Sequence, residues 1–187
     1  MEGLKNYINS QIEIDETDLE IVLSNFKELK LVNGRFALKQ GQIAINYFFV
    51  MSGGLRVYFE HKEKEVTSWI ALENDFFSDM VSLKNKVPSR FNIQAIEDTV
   101  LCIIPSDKME QLYRQFPPWQ QFGRQVWETN FLKLVEGVIG FQTMTAEERY
   151  LTTMQESKLL QRVPLKHLAS FLGVTPTSLS RLRKKIQ

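Results

Sequence analysis

The C-terminal residues 165–187 read LKHLASFLGVTPTSLSRLRKKIQ. The apolar residues of a first short helix share one face: Leu168, Ala169 and Leu172. Gly173 follows where the chain must turn sharply, a position that favours a residue free to take positive φ. Thr175 and Pro176 are typical of a helix start, as N-cap and first helical residue. This spacing predicts a helix-turn-helix.

The second helix separates an apolar inner face from a polar outer face. After the anchor Val174, the inner residues recur at spacings of three and four: Leu179, Leu182 and Ile186. The outer positions carry hydroxyls near the start and cations toward the end: Thr177, Ser178, Ser180, Arg181, Arg183, Lys184 and Lys185. Hydroxyl and guanidinium groups pair with phosphates and base edges, so this face predicts DNA binding.

Charge is segregated along the chain. Residues 161–187 contain six Lys or Arg and no Asp or Glu, and since the whole chain carries +1, residues 1–160 carry −5. A basic terminus on a mildly acidic body is typical of a protein that binds nucleic acid. The alternative is an ordinary amphipathic helical hairpin, whose cationic last turn suits the helix dipole.

Seven residues are the candidate DNA contacts: Thr175, Thr177, Ser178, Ser180, Arg181, Lys184 and Lys185. A recognition helix presents its N-terminal part to the bases, where amides and hydroxyls also suit phosphate. Arg181 is the candidate for a base contact, because arginine pairs bidentately with guanine. We expect Thr177 and Ser180 to add weaker base contacts and the two lysines to meet phosphate or solvent.

Composition predicts a soluble, cytoplasmic protein. The 187 residues are 43% hydrophobic and 24% charged, which are globular values, and they contain neither an apolar stretch of membrane-spanning length nor a signal peptide. The single cysteine, Cys102, excludes an internal disulfide and fits a reducing compartment. It lies in an apolar run at 100–104, which favours a buried core side chain over a reactive thiol.

Periodicity predicts an α+β chain. Residues 15–31 have the pattern of an amphipathic helix, with Leu19, Val22, Leu23, Phe26 and Leu29 on one face. Short β-type runs then alternate with turn residues: 35–39, 47–51, 55–60, 66–72, 91–95 and 99–104. Strands at this spacing predict a sandwich, barrel or jelly roll, and Gly53-Gly54 predicts a hairpin.

Helices follow the β-type runs. Ser106 is positioned to cap a helix at 107–115, and Pro117-Pro118 then breaks the chain. The pattern from Trp119 to Thr143 predicts a long helix whose apolar residues cover a wide arc. Either one stripe of this helix packs on the β-domain and another on a second copy of the chain, or the helix is buried between two domains of one monomer.

A further helix is predicted at 146–161, where Thr145 and Glu148 form a capping box. We therefore divide the chain into a β-roll domain (a double-stranded jelly roll) at 1–116, a central dimerisation helix at 117–143 and a helix-turn-helix domain at 144–187. Residue 187 follows the recognition helix directly, and no β-hairpin wing is expected. Fewer phosphate contacts would make DNA affinity modest and strongly salt-dependent.

This order of elements resembles the Crp/Fnr family of bacterial transcription regulators. Residues 50–58, VMSGGLRVY, are similar to the family's hairpin entering the fourth strand, and residues 73–79, ENDFFSD, to the start of its phosphate-binding segment. The resemblance implies a homodimer on a palindromic DNA operator, with RNA polymerase as a further partner. It also implies a cyclic nucleotide-binding-like sensory domain, whose effector changes the angle between the central helices and repositions the recognition helices.

The sequence departs from that family where cyclic nucleotides bind. Members that bind them carry a Gly-Glu pair and, further on, an Arg followed by Ser or Thr; here Ser78-Asp79 and Ser89-Arg90 occupy those positions on ungapped spacing. Asp79 could still accept a hydrogen bond from a hydroxyl, and Arg90 could meet a phosphate if the preceding loop differs in length. Successive strand residues point to opposite faces, so a one-residue shift would aim Arg90 away from the pocket.

The candidate effector-binding residues are Phe77, Ser78, Asp79, Ser89 and Arg90. We expect another small molecule, or no effector, rather than cyclic AMP. The alternative is a loop that has lost its role and keeps a surface ion pair.

Other sensor and enzyme classes are disfavoured. One cysteine cannot hold an iron–sulfur cluster, and His61, expected at a hairpin tip, is far from His167, expected on the polar face of the first motif helix. A cupin-like enzyme would need clustered metal ligands, so we expect no metal and no enzyme activity. A regulatory module that binds a cyclic nucleotide or a protein partner, without acting on DNA, is the remaining alternative.

Overall fold

The computed structural model describes residues 1–156 and 162–186. The helices in this part of the chain are α1 Glu2–Gln11, α2 Glu16–Ser24, α3 Met80–Asn85, α4 Ser106–Gln115, α5 Pro117–Thr143, α6 Ala146–Glu156, α7 Leu165–Phe171 and α8 Pro176–Ile186. The strands are β1 Lys27–Leu31, β2 Phe36–Leu38, β3 Asn46–Ser52, β4 Gly54–His61, β5 Lys64–Leu72, β6 Phe76–Phe77, β7 Asn92–Ala95 and β8 Thr99–Pro105.

The strands form two four-stranded antiparallel sheets that enclose one core. Their orders are β1-β8-β3-β6 and β2-β7-β4-β5. The predicted β-type runs at 35–104 all lie on strands, and the predicted α+β fold with an N-terminal β-roll is confirmed. Cys102 is buried in β8, as its apolar surroundings predict.

The predicted hairpin at Gly53-Gly54 is wrong. β3 and β4 lie in different sheets, so these glycines form a corner between the sheets. Gly53 has φ +87, and a Cβ there would lie 2.5 Å from the Asp98 carbonyl oxygen. The hairpin is instead β4–β5, turned at Lys62 and Glu63, whose φ values are both positive, and it places His61 beside the tip as expected.

The predicted helix at 15–31 is also partly wrong. α2 ends at Ser24, and Phe26 and Leu29 lie beyond it, because residues 27–31 form β1 and pair with β8. The Asp15 carboxylate caps α2 by accepting from Thr17 N at 2.9 Å.

Sequence reasoning also missed α1, which buries Leu4 and Ile8 in the core. Ser106 begins α4 without capping it.

Helix α5 is buried against the β-roll along its N-terminal half. Trp119 and Phe122 are fully buried there and stack with ring centroids 4.4 Å apart. The C-terminal half leaves an apolar stripe exposed on the surface of the chain: Phe131, Leu132, Leu134, Val138, Ile139 and Phe141. The interpretation in which this helix is buried between two domains of one monomer is therefore not what the fold shows.

The C-terminal helices have a second, smaller core. Its buried residues are Tyr150, Val163, Leu168, Ala169, Leu172 and Leu179, joined by Ile96 of the β-roll. The predicted capping box of α6 is present, with Glu148 N donating to Thr145 Oγ1 at 3.2 Å and Thr145 N donating back to the Glu148 carboxylate at 2.7 Å. Of the helix predicted at 146–161, α6 covers 146–156, and residues 157–161 lie outside the described part of the chain.

A Gly53→Ala variant should lose much more stability than Gly34→Ala. Both glycines have positive φ, which costs an alanine about 1–2 kcal/mol, but a Cβ at Gly34 meets no heavy atom within 4 Å. At Gly53 the collision with the backbone adds about 1–3 kcal/mol. Urea unfolding of the two variants measures the difference, and equal losses would show that the corner tolerates a side chain.

Candidate nucleic-acid interface and effector pocket

The turn between α7 and α8 is built as the sequence predicts. Gly173 has φ +72, and Val174 N donates to the Ala169 carbonyl at 2.9 Å. Thr175 Oγ1 accepts from Ser178 N at 3.1 Å, which caps α8. The two hydroxyls also lie 2.8 Å apart. Thr175 therefore has a structural role that comes before any contact with a ligand.

The outer face of α8 presents most of the predicted DNA contacts. Thr177, Ser178, Arg181 and Lys184 are exposed, and Ser180 is half-buried. Lys185 is exposed but bonds to Glu147 of α6 at 2.9 Å. The inner residue Leu179 is buried, whereas the side chain of Ile186 lies outside the described part. The structure thus brings these hydroxyls and cations to one side of a single helix.

Two of the positively charged side chains of the C-terminal segment contact the β-roll. Arg162 bonds to the Glu73 carboxylate at 2.7 Å, to the Gly53 carbonyl at 3.3 Å and to Glu97 at 3.3 Å. Lys166 lies 3.7 Å from Glu65. Arg162 holds the pKa of Glu73 below its ordinary value through their hydrogen bond. Sequence reasoning missed these contacts, because carboxylates about 90 residues upstream carry no local pattern that marks them as partners.

A buried arginine lies where the helix-turn-helix meets the β-roll. The Arg56 side chain is only 1% exposed and donates to Thr67 Oγ1 at 2.8 Å and to the Glu65 carboxylate at 2.6 Å. That bond lowers the pKa of Glu65. Ser170 of α7 bonds to strand β5 beside this pair, accepting from Thr67 N at 2.9 Å and donating to the Glu65 carbonyl at 3.1 Å. Helix α7 is therefore hydrogen-bonded to the backbone of an edge strand.

His167 belongs to this contact rather than to an open polar face. It is half-buried, and its Nδ1 has no hydrogen-bond partner among the described residues. Burial, followed by the nearby positive charges of Arg56 and Lys166, lowers the pKa of His167 from 6.5 to about 4, against the opposing pull of Glu65. The imidazole is neutral at physiological pH.

A cavity of about 290 Å³ lies between the β-roll and α5. Its lining includes three of the predicted effector residues: Phe77, Ser78 and Asp79. Trp127, Asn130 and Leu134 of α5 form the side opposite them. The cavity therefore has walls from both the β-roll and the central helix.

The other two predicted effector residues do not line the cavity. Arg90 is exposed, and Ser89 is 3% exposed with its hydroxyl donating to the Phe91 carbonyl at 3.0 Å. Ser89 holds the loop in place by accepting from Phe91 N. No ion pair joins Asp79 to Arg90 in the part of the chain that the structure describes.

A larger cleft of about 440 Å³ lies outside the β-roll, against α3, α4 and α5. Its two cations are already paired: Lys84 with Glu110 at 2.5 Å and Arg124 with Glu128 at 2.8 Å. None of the predicted site residues lines this cleft. We therefore take the smaller cavity as the candidate effector pocket.

The described residues show neither a membrane helix nor a metal centre. Across 1–156 and 162–186, no helix has both the length and the apolar character to cross a membrane. Nor does this part of the chain bring three His, Cys, Asp or Glu side chains together in a cluster able to hold a metal ion.

A β-roll, a long helix and a helix-turn-helix, with a pocket where the first two meet, define a class of two-part regulatory folds. Residues 28–116 match the family model of the cyclic nucleotide-binding domain. This match, together with an architecture shared with solved Crp/Fnr regulators, confirms the resemblance that the sequence shows. No curated protein matches the chain.

Solved structures with the same architecture match along most of the chain. A mutant of CooA from Carboxydothermus hydrogenoformans is 22% identical, with a TM-score of 0.70 over 94% of this chain and 86% of its own. The c-di-GMP responsive global regulator CLP of Xanthomonas campestris is 17% identical, with a TM-score of 0.71 and 92% of each chain covered. A crp/fnr-family protein from Eubacterium rectale is 17% identical, with a TM-score of 0.69 over 93% of this chain and 84% of its own. At these identities the likeness establishes the fold, a β-roll followed by a long helix and C-terminal helices.

A His167→Gln variant should flatten the pH dependence of stability between pH 6.5 and about 4. The pKa of His167 is lower in the folded state, so over this window the unfolded state binds a proton that the folded state excludes. The stability of the wild-type protein therefore falls as the pH is lowered from 6.5 to about 4. Glutamine does not titrate. Thermal melting across the window measures this effect, with His61→Gln at the exposed hairpin tip as the control. Parallel curves for wild type and His167→Gln would contradict it.

Proposed function

We propose that the chain is a sequence-specific, DNA-binding transcription regulator of the Crp/Fnr type, acting in the cytoplasm as a homodimer. The observation that carries this proposal is the outer face of α8, where Thr177, Ser178, Arg181 and Lys184 are exposed on a capped helix held by the Gly173 turn. Such a face has the groups that pair with base edges and phosphates. The β-roll would act as its effector domain.

The solved structures support a regulatory function. The CLP structure is described as that of a c-di-GMP responsive global regulator, and the Eubacterium rectale protein as a transcriptional regulator. Both share the whole arrangement, from β-roll to helix-turn-helix, with this chain. The simplest function for this arrangement is that the β-roll senses a small molecule and α8 binds DNA.

The apolar stripe on α5 supports the homodimer. Phe131, Leu134, Val138 and Phe141 recur at spacings of three, four and three, which is the spacing of a coiled-coil seam. Phe131 is 64% exposed and Val138 50% exposed in the single chain. A second copy packed on the same stripe would bury both, and its two-fold axis would present the two α8 helices to a palindromic operator.

The placement of Arg90 supports an altered cyclic nucleotide site. A cyclic nucleotide carries one phosphate charge, which a buried site must neutralise. Arg90 is exposed and does not line the pocket, and Ser89 is fixed by its own loop. We therefore do not propose cyclic AMP as the effector.

An Arg181→Ala variant should bind its operator less tightly by about 1–3 kcal/mol and lose sequence preference, because the guanidinium would no longer reach a guanine edge. Mobility shifts with an operator selected from random duplexes, and with an unrelated duplex, measure both effects. Lys108→Ala, which removes an exposed cation from α4, is the matched control and should bind as wild type does.

An equal loss on both duplexes would reassign Arg181 to a phosphate contact. A wild-type protein that shifts no duplex at low salt would refute DNA binding and leave a regulatory module that acts through a ligand or a protein partner.

A Val138→Glu variant should be monomeric where wild type is dimeric, because a carboxylate in the middle of the seam would be buried beside its own copy. Thr129→Glu adds the same charge to an exposed position on the opposite side of α5 and should remain dimeric. Sedimentation equilibrium measures the mass of each. A wild-type monomer at micromolar concentration, or a dimeric Val138→Glu, would contradict this interface.

A further inference from the structure

The effector pocket is lined mainly by aromatic and aliphatic side chains. Trp69 of β5, Phe77 of β6 and Trp127 of α5 all contribute to its walls, together with Phe91 and Ile93. Its volume of about 290 Å³ lies at the lower end of the range for small-molecule sites, about 300–1,000 Å³. Flat rings bury much apolar area at little cost in conformational entropy, so this lining favours a small aromatic ligand.

The charge of the lining disfavours an anion. The lining contains two carboxylates, Asp75 and Asp79, and no Lys or Arg among the described residues. Lys133 bonds to Asp75 at 3.1 Å and so compensates one of the two. Asp79 is 8% exposed and has no cationic partner in the described part of the chain. A phosphate or carboxylate here would lie beside a carboxylate that no cation compensates, and like charges repel.

Most polar groups of the lining already have partners within the protein. The Ser78 hydroxyl donates to the Asn46 carbonyl at 2.8 Å, and the Asn130 amide donates to the Phe76 carbonyl at 2.9 Å. Asp75 accepts from Leu72 N at 3.0 Å as well as from Lys133. The side-chain donors of Ser78 and Asn130 are therefore engaged within the protein.

Asp79 is the exception. Among the described residues, its carboxylate accepts one hydrogen bond, from Ser82 N at 3.2 Å. A carboxylate can accept several hydrogen bonds, so this side chain has acceptor positions left at the cavity. A ligand that brings a hydrogen-bond donor would fill one of them.

We infer that the effector pocket takes an uncharged aromatic molecule carrying one N–H or O–H donor, which bonds to the Asp79 carboxylate. This inference rests on the proposed function only in treating the pocket as the effector site. It names the class of effector and explains why the cyclic nucleotide pattern is absent at Ser78-Asp79 and Ser89-Arg90.

Calorimetric titration of the full chain with three matched probes tests this chemistry. Indole is neutral and has a donor, N-methylindole lacks the donor, and indole-3-carboxylate adds a negative charge. We expect indole to bind, N-methylindole to bind about tenfold more weakly, and the carboxylate to give no heat in the same range. Cyclic AMP should also give none. Absence of indole binding, or equal binding of indole and its carboxylate, would overturn the inference.

Two variants locate the site. Asp79→Ser removes the carboxylate but keeps a good helix cap for α3, so it should bind indole no better than N-methylindole. Val81→Arg places a cation at an exposed position of the lining and should allow the carboxylate probe to bind. Asp107→Ser, exposed on α4, is the control for a lost carboxylate and should bind all three probes as wild type does. If Asp79→Ser and Val81→Arg both bind the probes as wild type does, the inference fails.

Mobility shifts on the same preparation separate this inference from the proposed function. A protein that binds indole but shifts no DNA keeps the pocket chemistry and refutes the regulator. A protein that shifts DNA but does not bind indole refutes the pocket chemistry alone.

Discussion

The packing of the C-terminal helices on the β-roll depends on one buried guanidinium group. Arg56 is enclosed where β4 and β5 meet the C-terminal helices, and a buried cation is tolerated only when it is paired and hydrogen-bonded. Glu65 and Thr67 supply those bonds from the neighbouring strand, and the Tyr58 ring lies 4.1 Å from the guanidinium carbon. Ser170 then bonds α7 to the backbone of the same strand, so the pairing that satisfies Arg56 also sets where the helix-turn-helix lies.

Local features of the fold could be predicted from the sequence, whereas pairing between distant segments could not. The strands between 35 and 104, the capping box at Thr145 and the turn at Gly173 each depend on residues a few positions apart. The corner at Gly53-Gly54 depends instead on which partners β3 and β4 find, and a glycine pair between two β-runs fits a corner as well as a hairpin. The secondary structure of residues 27–31 was ambiguous for another reason. Their two apolar residues, Leu29 and Leu31, fit a continuation of the preceding helical pattern almost as well as they fit a strand.

The candidate sites divide in the same way. The capping role of Thr175 and the exposed face of α8 follow from helix periodicity, so the residues of that face could be named in advance. The exposure of Arg90 depends on the length and path of a loop, which no single sequence reveals. The contacts of Arg162 with Glu73 and Glu97 join segments far apart in the chain. Because of them, counting cations in the C-terminal segment overstates the charge that is available to DNA.

Helix α5 contributes to two surfaces at once. Leu134 lines the effector pocket and also belongs to the exposed apolar stripe, three residues from Phe131. A second chain packed on that stripe would therefore form part of the surroundings of the ligand. Thermodynamic linkage then acts in both directions, since whatever the ligand contributes to association, association contributes equally to the ligand's affinity. The midpoint of an effector titration would then depend on the total concentration of the protein as well as on the pocket, and a cell could tune its response by the amount of regulator it makes.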